Sequence, residues 1–248
     1  GLRVHDGYAA LLADPDIDAV YIPLPNTLHA GWTLRALDAG KAVLCEKPVG
    51  MDVGEIDAMI AARDRTGRLA AEAYMILHHP QWPRVRTLIA DGAIGEVAQV
   101  DGVFTYDNRD DRGNIRNRAE TGGGALRDIG VYPLGAARYA MAAEPRNLTA
   151  RIDRQNGVDA RVEAAGDLGA ARLSMRVSMR VTRWQEMTFH GTGGLIRLTA
   201  PFNPGHFAEA ALHLIRPGRE QVTEVFPRAR QYVAQVENFA QSVRGAAP

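Results

Sequence analysis

The chain has 248 residues, 46% hydrophobic and 23% charged, with 29 basic and 29 acidic side chains cancelling to zero net charge. That length supports a sizeable core in one large or two small domains. The balanced charge gives no reason to expect a nucleic acid or an anionic membrane as partner. Cys45 is the sole cysteine, which excludes an intrachain disulfide and suits a reducing, cytoplasmic compartment. No apolar run reaches the roughly 20 residues of a membrane span. The chain opens at Gly1 with no signal peptide, on what reads as a loop inside a domain, and stops just after an apparent helix. Truncation at both ends is the expectation, and any export signal would fall in the missing part.

The first seventy residues alternate helix and strand. Tyr8–Ala13 predicts a short helix, ended by Asp14-Pro15. Asp18–Leu24 is a near-continuous apolar strand of the kind covered by helices on both faces. Leu28–Ala39 is a helix stopped by Gly40, and Ala42–Glu46 is a second buried strand. Asp52 and Glu55 form a helix-start signal resembling a capping box. Ile56, Met59, Ile60 and Arg63 then share one helical face, Gly67 closes the helix, and Leu69–Met75 is a third strand. Strands separated by single helices imply parallel pairing.

After Met75 the pattern changes. A helix runs from Pro83 to Gly92. Strands then dominate, at Val97–Tyr106, Leu148–Arg154, Arg161–Ala165, Ala171–Thr182, Glu186–His190 and Leu195–Leu198, with helices near Gly130–Met141 and Gln231–Arg244. The predicted fold class is α/β: an incomplete Rossmann-type parallel sheet (1–73) followed by an α+β domain (74–248) with a large open, mostly antiparallel sheet. In Ala171–Thr182 strict alternation puts Leu173, Met175, Val177, Met179 and Val181 on one face. Arg172, Ser174, Arg176, Ser178, Arg180 and Thr182 lie on the other, either a solvated face or a subunit contact.

Three places could carry chemistry. Glu46-Lys47-Pro48 ends the second strand, and ligands of open parallel sheets bind outside the carboxyl ends of the strands. By itself the tripeptide also fits an ordinary strand-end lysine. Pro23-Leu24-Pro25-Asn26-Thr27-Leu28-His29 ends the preceding strand, where Asn26 could cap the next helix. Gly122-Gly123-Gly124 allows close backbone approach to a ligand or to another segment. Asp128 and Tyr132 beyond it share a face if helical, and a phenol beside a carboxylate suits proton transfer. No metal site is expected. The adjacent His78 and His79 diverge and no Asp, Glu or Cys has ligand spacing to them, while Cys45 reads as strand filling.

An ordered series of motifs covers about half of the chain. It runs through Tyr21-Ile-Pro-Leu-Pro-Asn-Thr-Leu-His29, Leu44-Cys-Glu-Lys-Pro48, Glu72-Ala-Tyr-Met75, His79-Pro-Gln-Trp82 and Gly92-Ala-Ile-Gly-Glu-Val97 to Asn114-Ile-Arg-Asn117 and Gly122–Pro133. The series resembles the glucose–fructose oxidoreductase, inositol dehydrogenase and rhizopine-catabolism (Gfo/Idh/MocA) family. Tyr132 is shared with the branch of glucose–fructose oxidoreductase, D-xylose 1-dehydrogenase and dimeric dihydrodiol dehydrogenase.

The resemblance implies NAD(P)-dependent hydride transfer to or from a sugar or related polyol or cyclic diol. It makes Lys47 the catalytic lysine, Tyr132 the acid/base and Asp128 their neighbour, with Pro23, Leu24, Asn26, His29, Glu46 and Lys47 in the cofactor crevice. It further implies a homodimer or higher oligomer paired through the open sheet. Two departures accompany it. The Gly-rich phosphate loop and ribose-selecting residue should precede Gly1, leaving NADP or NAD open and predicting weak cofactor binding by these 248 residues. Leu77 stands where the branch usually has arginine. Two other functions remain open: an NAD-dependent glycosidase of the same superfamily, and a non-catalytic interaction protein.

Overall fold

The computed structural model describes residues 3–219 and 221–245. They form two compact units. The first holds residues up to Tyr74, with Glu120–Gly122 and 235–245; the second holds Met75–Ala119 and Gly123–Ala234. The final helix therefore contributes to both units, and the plain division into 1–73 and 74–248 does not describe its second half.

In the first unit, α1 (Tyr8–Ala13), β1 (Ala19–Ile22), α2 (His29–Asp38), β2 (Ala42–Glu46), α3 (Val53–Thr66) and β3 (Ala70–Ala73) alternate. The sheet order is β1-β2-β3, all parallel, with Ile22 opposite Cys45 and Glu46 opposite Ala73. The three carboxyl ends therefore share one edge. Ile22, Ala36, Leu37, Val43, Cys45 and Ala62 form the core, with Leu12, Leu24 and Trp32 packed on it. The start of α3 is close to the expected box. Asp52 Oδ1 accepts from Glu55 N at 3.0 Å, whereas Glu55 Oε2 accepts from Met51 N at 2.7 Å, one residue before the cap. Gly67 ends the helix at φ 64°, a left-handed conformation natural to glycine. Asn26 does not cap α2; residues Asn26–Leu28 form a 3-10 turn without a side-chain cap. The third strand stops at Ala73, and Met75–His78 is a further 3-10 turn.

The second unit contains α4 (Gln81–Ala90), β4 (Val97–Asp107), α5 (Val131–Met141), β5 (Pro145–Gln155), β6 (Val158–Leu168), β7 (Ala171–Ser178), β8 (Arg180–Gly191), β9 (Gly194–Leu198), β10 (Ala211–Ile215) and β11 (Val222–Val225). The last helix, α6 (Gln231–Val243), begins here. The sheet order is β11-β10-β9-β8-β4-β7-β6-β5. Every pair is antiparallel except β4 with β7. Strands β10 and β11, short and separated by a turn, were not anticipated.

The stretch Ala171–Thr182 is not one strand. It breaks at Met179, whose side chain is fully buried and whose N–H donates to Ala160 O at 3.0 Å. Strand β4 takes β7 on one side and β8 on the other, so the chain must reverse between them. Arg180 leaves the arginine row as a result. Its guanidinium donates to Gln155 Oε1 at 2.7 Å and to Asn108 Oδ1 and Asn117 Oδ1, each at 3.0 Å. Val181 is exposed. What survives is a face with Arg172 and Arg176 outward and Leu173, Met175 and Val177 buried beneath. Acidic cross-strand neighbours break up the positive charge. Asp167 lies opposite Arg172 and pairs with it, and Glu163 lies opposite Arg176.

Two stability predictions follow from named contacts. Asp52→Ala removes the acceptor for Glu55 N and should cost about 1 kcal/mol, measured by urea unfolding; an unchanged midpoint would deny the cap. The second concerns His79, which is 1% exposed and whose pKa burial pushes down to about 4. It is neutral in the folded chain, while the unfolded chain takes up the proton near pH 6.5. Its stabilising contribution is therefore present above pH 6.5 and lost as pH falls from 6.5 to 4. His79→Phe should flatten the fall of the urea midpoint across that window, and an identical slope in the variant would contradict the burial argument.

Candidate functional site

In the first unit the candidate residues gather at the carboxyl ends of β1 and β2. Pro23 and Leu24 follow β1; Pro23 is exposed, and Leu24 packs on the core. Asn26 turns away from the helix start, and its Nδ2 donates to Gly122 O at 2.9 Å. Glu46 is the last residue of β2. Its Oε1 accepts from the Tyr21 hydroxyl at 2.5 Å, and its Oε2 accepts from Lys47 N at 3.3 Å. Lys47 is half-buried just past the strand end.

His29, expected in the cofactor crevice, lies beneath the same edge, between the exits of β1 and β2. It is 1% exposed, with Nδ1 2.8 Å from Pro48 O and Nε2 2.7 Å from Leu24 O. Both nitrogens are therefore engaged by main chain, and the ring ties the exits of β1 and β2 together. Glu72, quoted above only as part of a motif, belongs to this edge as well. Its Oε1 accepts from Val49 N at 2.9 Å. It keeps solvent access, yet desolvation holds its carboxyl above the usual range, against the lowering effects of the Val49 N–H and Lys47.

In the second unit the candidates lie on the segment leading into α5. The helix expected from Gly130 begins earlier, as a π-helical turn over Leu126–Gly130 that runs into α5. Such turns insert a residue into the helical repeat and often accompany functional groups. Asp128 sits in this turn, almost fully buried. Tyr106, on β4, donates to its Oδ2 at 2.5 Å, and Arg116 Nε donates to its Oδ1 at 2.9 Å. Burial, then the Asp128 charge, pushes the Tyr106 phenol far up, so Tyr106 stays protonated and acts as a donor. Asp128 in turn raises the pKa of Arg116, whose charge also interacts with Tyr106 and Tyr132.

Tyr132 is 6% exposed, in the first turn of α5. Its ring packs against Phe104 at 5.6 Å and Phe202 at 5.7 Å, and its hydroxyl lies 3.6 Å from Met75 Sδ. Tyr106 and Arg116 were missed as functional residues. The available signal was Arg116 inside the Asn114–Asn117 motif; Tyr106 gave none, as one of several aromatic residues on a strand.

The three glycines are accounted for by neighbouring protein segments. A Cβ on Gly122 would meet Met51 Sδ at 2.7 Å, one on Gly123 would strike the Arg116 carbonyl, and one on Gly124 would strike Asp159. Asp159 Oδ2 also accepts from Leu126 N at 2.6 Å, fixing the entry to the π turn. Leu77 is partly exposed in the 3-10 turn after β3. Burial pushes the Cys45 thiol up to about 12, in keeping with core filling. Among the described residues no group of three or more His, Cys, Asp or Glu could hold a metal ion, and no helix is long and apolar enough to cross a membrane.

Comparison with known proteins assigns both units. Residues 1–74 match the family described as oxidoreductase, NAD-binding Rossmann fold, and residues 82–197 match the GFO/IDH/MocA C-terminal domain. The uncharacterized oxidoreductase ORF334 of Rhizobium meliloti is 42% identical over 99% of this chain and 75% of its own length. The D-xylose 1-dehydrogenase (NADP(+)) 2 of Haloferax volcanii is 34% identical over 96% of this chain and 74% of its own. Among solved structures, the 3-ketoreductase KijD10 of Actinomadura kijaniata, in complex with NADP and TDP-benzene, superimposes with a TM-score of 0.89. It is 34% identical, covering 97% of this chain and 74% of KijD10. The chain therefore belongs to the Gfo/Idh/MocA family of NAD(P)-dependent oxidoreductases.

Proposed function

We propose that this protein transfers a hydride between NADP or NAD and a sugar or a related polyol or cyclic diol, a sugar carried on a nucleoside diphosphate included. The observation that carries this reading is Lys47, at the carboxyl edge of a parallel sheet whose segment matches the NAD-binding Rossmann family. The turn Pro23–Asn26 and the strand end Glu46-Lys47 are the groups that would line the nicotinamide side of a bound dinucleotide, with His29 setting the shape of both exits. The cofactor, when bound, supplies the hydride chemistry.

The protein's own residues supply position and proton transfer. Lys47 orients and polarises the reacting oxygen, and Tyr132 exchanges its proton. Packing against Phe104 and Phe202 holds the Tyr132 ring rigid and leaves the hydroxyl as its polar end. Asp128, anchored by Tyr106 and Arg116, keeps a fixed negative charge one helical turn before Tyr132. Two relatives act on sugars or carry NADP by their descriptions, which supports the substrate class and the cofactor. A single buried thiol fits a reducing, cytoplasmic location.

In the full-length protein Lys47→Met should lower turnover by roughly two orders of magnitude or more, the scale of a lost acid–base group, with an unchanged circular dichroism spectrum. Near-normal accumulation of reduced or oxidised cofactor in that variant would refute the assignment. Net accumulation of reduced cofactor by the parent also separates a dehydrogenase from a glycosidase that uses the cofactor only transiently.

The proposed homo-oligomer pairs through the outward face of the large sheet, without Arg180. The outward face of the large sheet alternates Arg172, Arg176 and Arg197 with Asp167, Glu163 and Glu186, a mixed pattern that a two-fold copy of itself can match. Arg172→Glu combined with Arg176→Glu should shift light scattering toward the monomer. A double variant as oligomeric as the parent would remove this face from the interface.

A further inference from the structure

The peptide group between Pro48 and Val49, one residue beyond Lys47, is held from both sides. The carbonyl of Pro48 lies 2.8 Å from His29 Nδ1, and the N–H of Val49 donates to Glu72 Oε1 at 2.9 Å. These two atoms belong to one peptide unit, which is planar and turns as a body. His29 is the first residue of α2, and Glu72 lies on β3 opposite Cys45. The ring's second nitrogen reaches Leu24 O, 2.7 Å away at the exit of β1. Carbonyl oxygens only accept, so a ring nitrogen that carries a proton donates to the carbonyl beside it. The carboxylates of Glu46 and Glu72 and the amine of Lys47 are the charged groups around this edge. A single peptide plane is thus tied to all three strands of the sheet.

A strand-end loop has no ladder partners of its own beyond the sheet, so its main chain ordinarily has freedom to turn. Here rotation of the Pro48–Val49 plane would break two hydrogen bonds at once and leave Val49 N–H without its acceptor. We propose that His29 and Glu72 are positioning residues for Lys47, fixing the peptide plane one residue beyond it and thereby the direction in which the lysine leaves the sheet. The proposal rests on the assignment of Lys47 to the chemistry. It accounts for two polar side chains that the reaction itself does not use.

The test compares Glu72→Ala and Glu72→Gln in the full-length protein, each confirmed folded by thermal melting, with Lys47→Met alongside. Hydrogen exchange of the peptide spanning residues 47–52 is followed by mass spectrometry with no cofactor present, and kcat and KM are measured separately. Glu72→Ala should speed exchange at the Val49 amide and lower kcat at least tenfold, the order expected of a misplaced catalytic group, while KM for the sugar changes by less than about threefold. Glu72→Gln retains an acceptor oxygen and should restore slow exchange and most of the turnover. His29→Leu should speed exchange in the same peptide; if it does not fold, the Glu72 pair decides. Unchanged exchange in Glu72→Ala, faster exchange with kcat intact, or a Gln variant as impaired as the Ala variant would each overturn the proposal. Normal turnover in Lys47→Met would instead refute the lysine's role and leave the exchange result to stand on its own.

Discussion

A polar group taken out of water has to find a partner inside the protein, and the chemistry-bearing parts of this chain are organised around meeting that demand. Asp128 is the clearest case. Its two carboxylate oxygens are claimed by Tyr106 from β4 and by Arg116 from the short turn that follows. Both donors converge on one nearly buried carboxylate, so β4, the 115–117 turn and the π turn hold one another in place. Asp159 extends the arrangement by capping Leu126 N and occupying the space where a Cβ on Gly124 would fall. His29 and Glu72 do comparable work in the first unit, where their partners are main-chain atoms of the loops on which the candidate chemistry sits.

Sheet geometry sets where these demands arise. Parallel, in-register pairing of β1, β2 and β3 brings three carboxyl ends to one edge, and the residues past those ends lose their ladder partners together. Side chains must then supply what the ladder no longer provides. In the second unit β4 pairs parallel with β7 and antiparallel with β8, which forces the reversal at Met179. That reversal pulls Arg180 out of the outward row and into bonds with Asn108, Asn117 and Gln155, side chains beside the segment that carries Arg116.

The electrostatics follow the same logic. The half-buried Tyr106 phenol donates to Asp128, and desolvation together with that carboxylate holds it protonated. The Arg116 charge offsets the buried carboxylate and interacts with the phenols of Tyr106 and Tyr132. On the open sheet face, by contrast, cations and anions alternate in exposed pairs such as Arg172–Asp167 and Arg197–Glu186, which individually contribute little to stability.

The amino-acid sequence by itself determined the two-part organisation of secondary structure, because periodicity and glycine or proline stops are local properties. The alternation of Ala19–Ile22, His29–Asp38 and Ala42–Glu46 was legible in this way, as was the family, from motifs in order. Proximity in space is not a local property, and tertiary structure alone decided it. Only the folded chain shows that His29 faces two carbonyls, that Asn26 bonds Gly122 rather than capping a helix, and that Tyr106 and Arg116 share Asp128. The regular alternation through Ala171–Thr182 looked like one strand because period two does not record a change of partner. The break at Met179 comes from β7 and β8 lying on opposite sides of β4, a pairing written in contacts far apart along the chain.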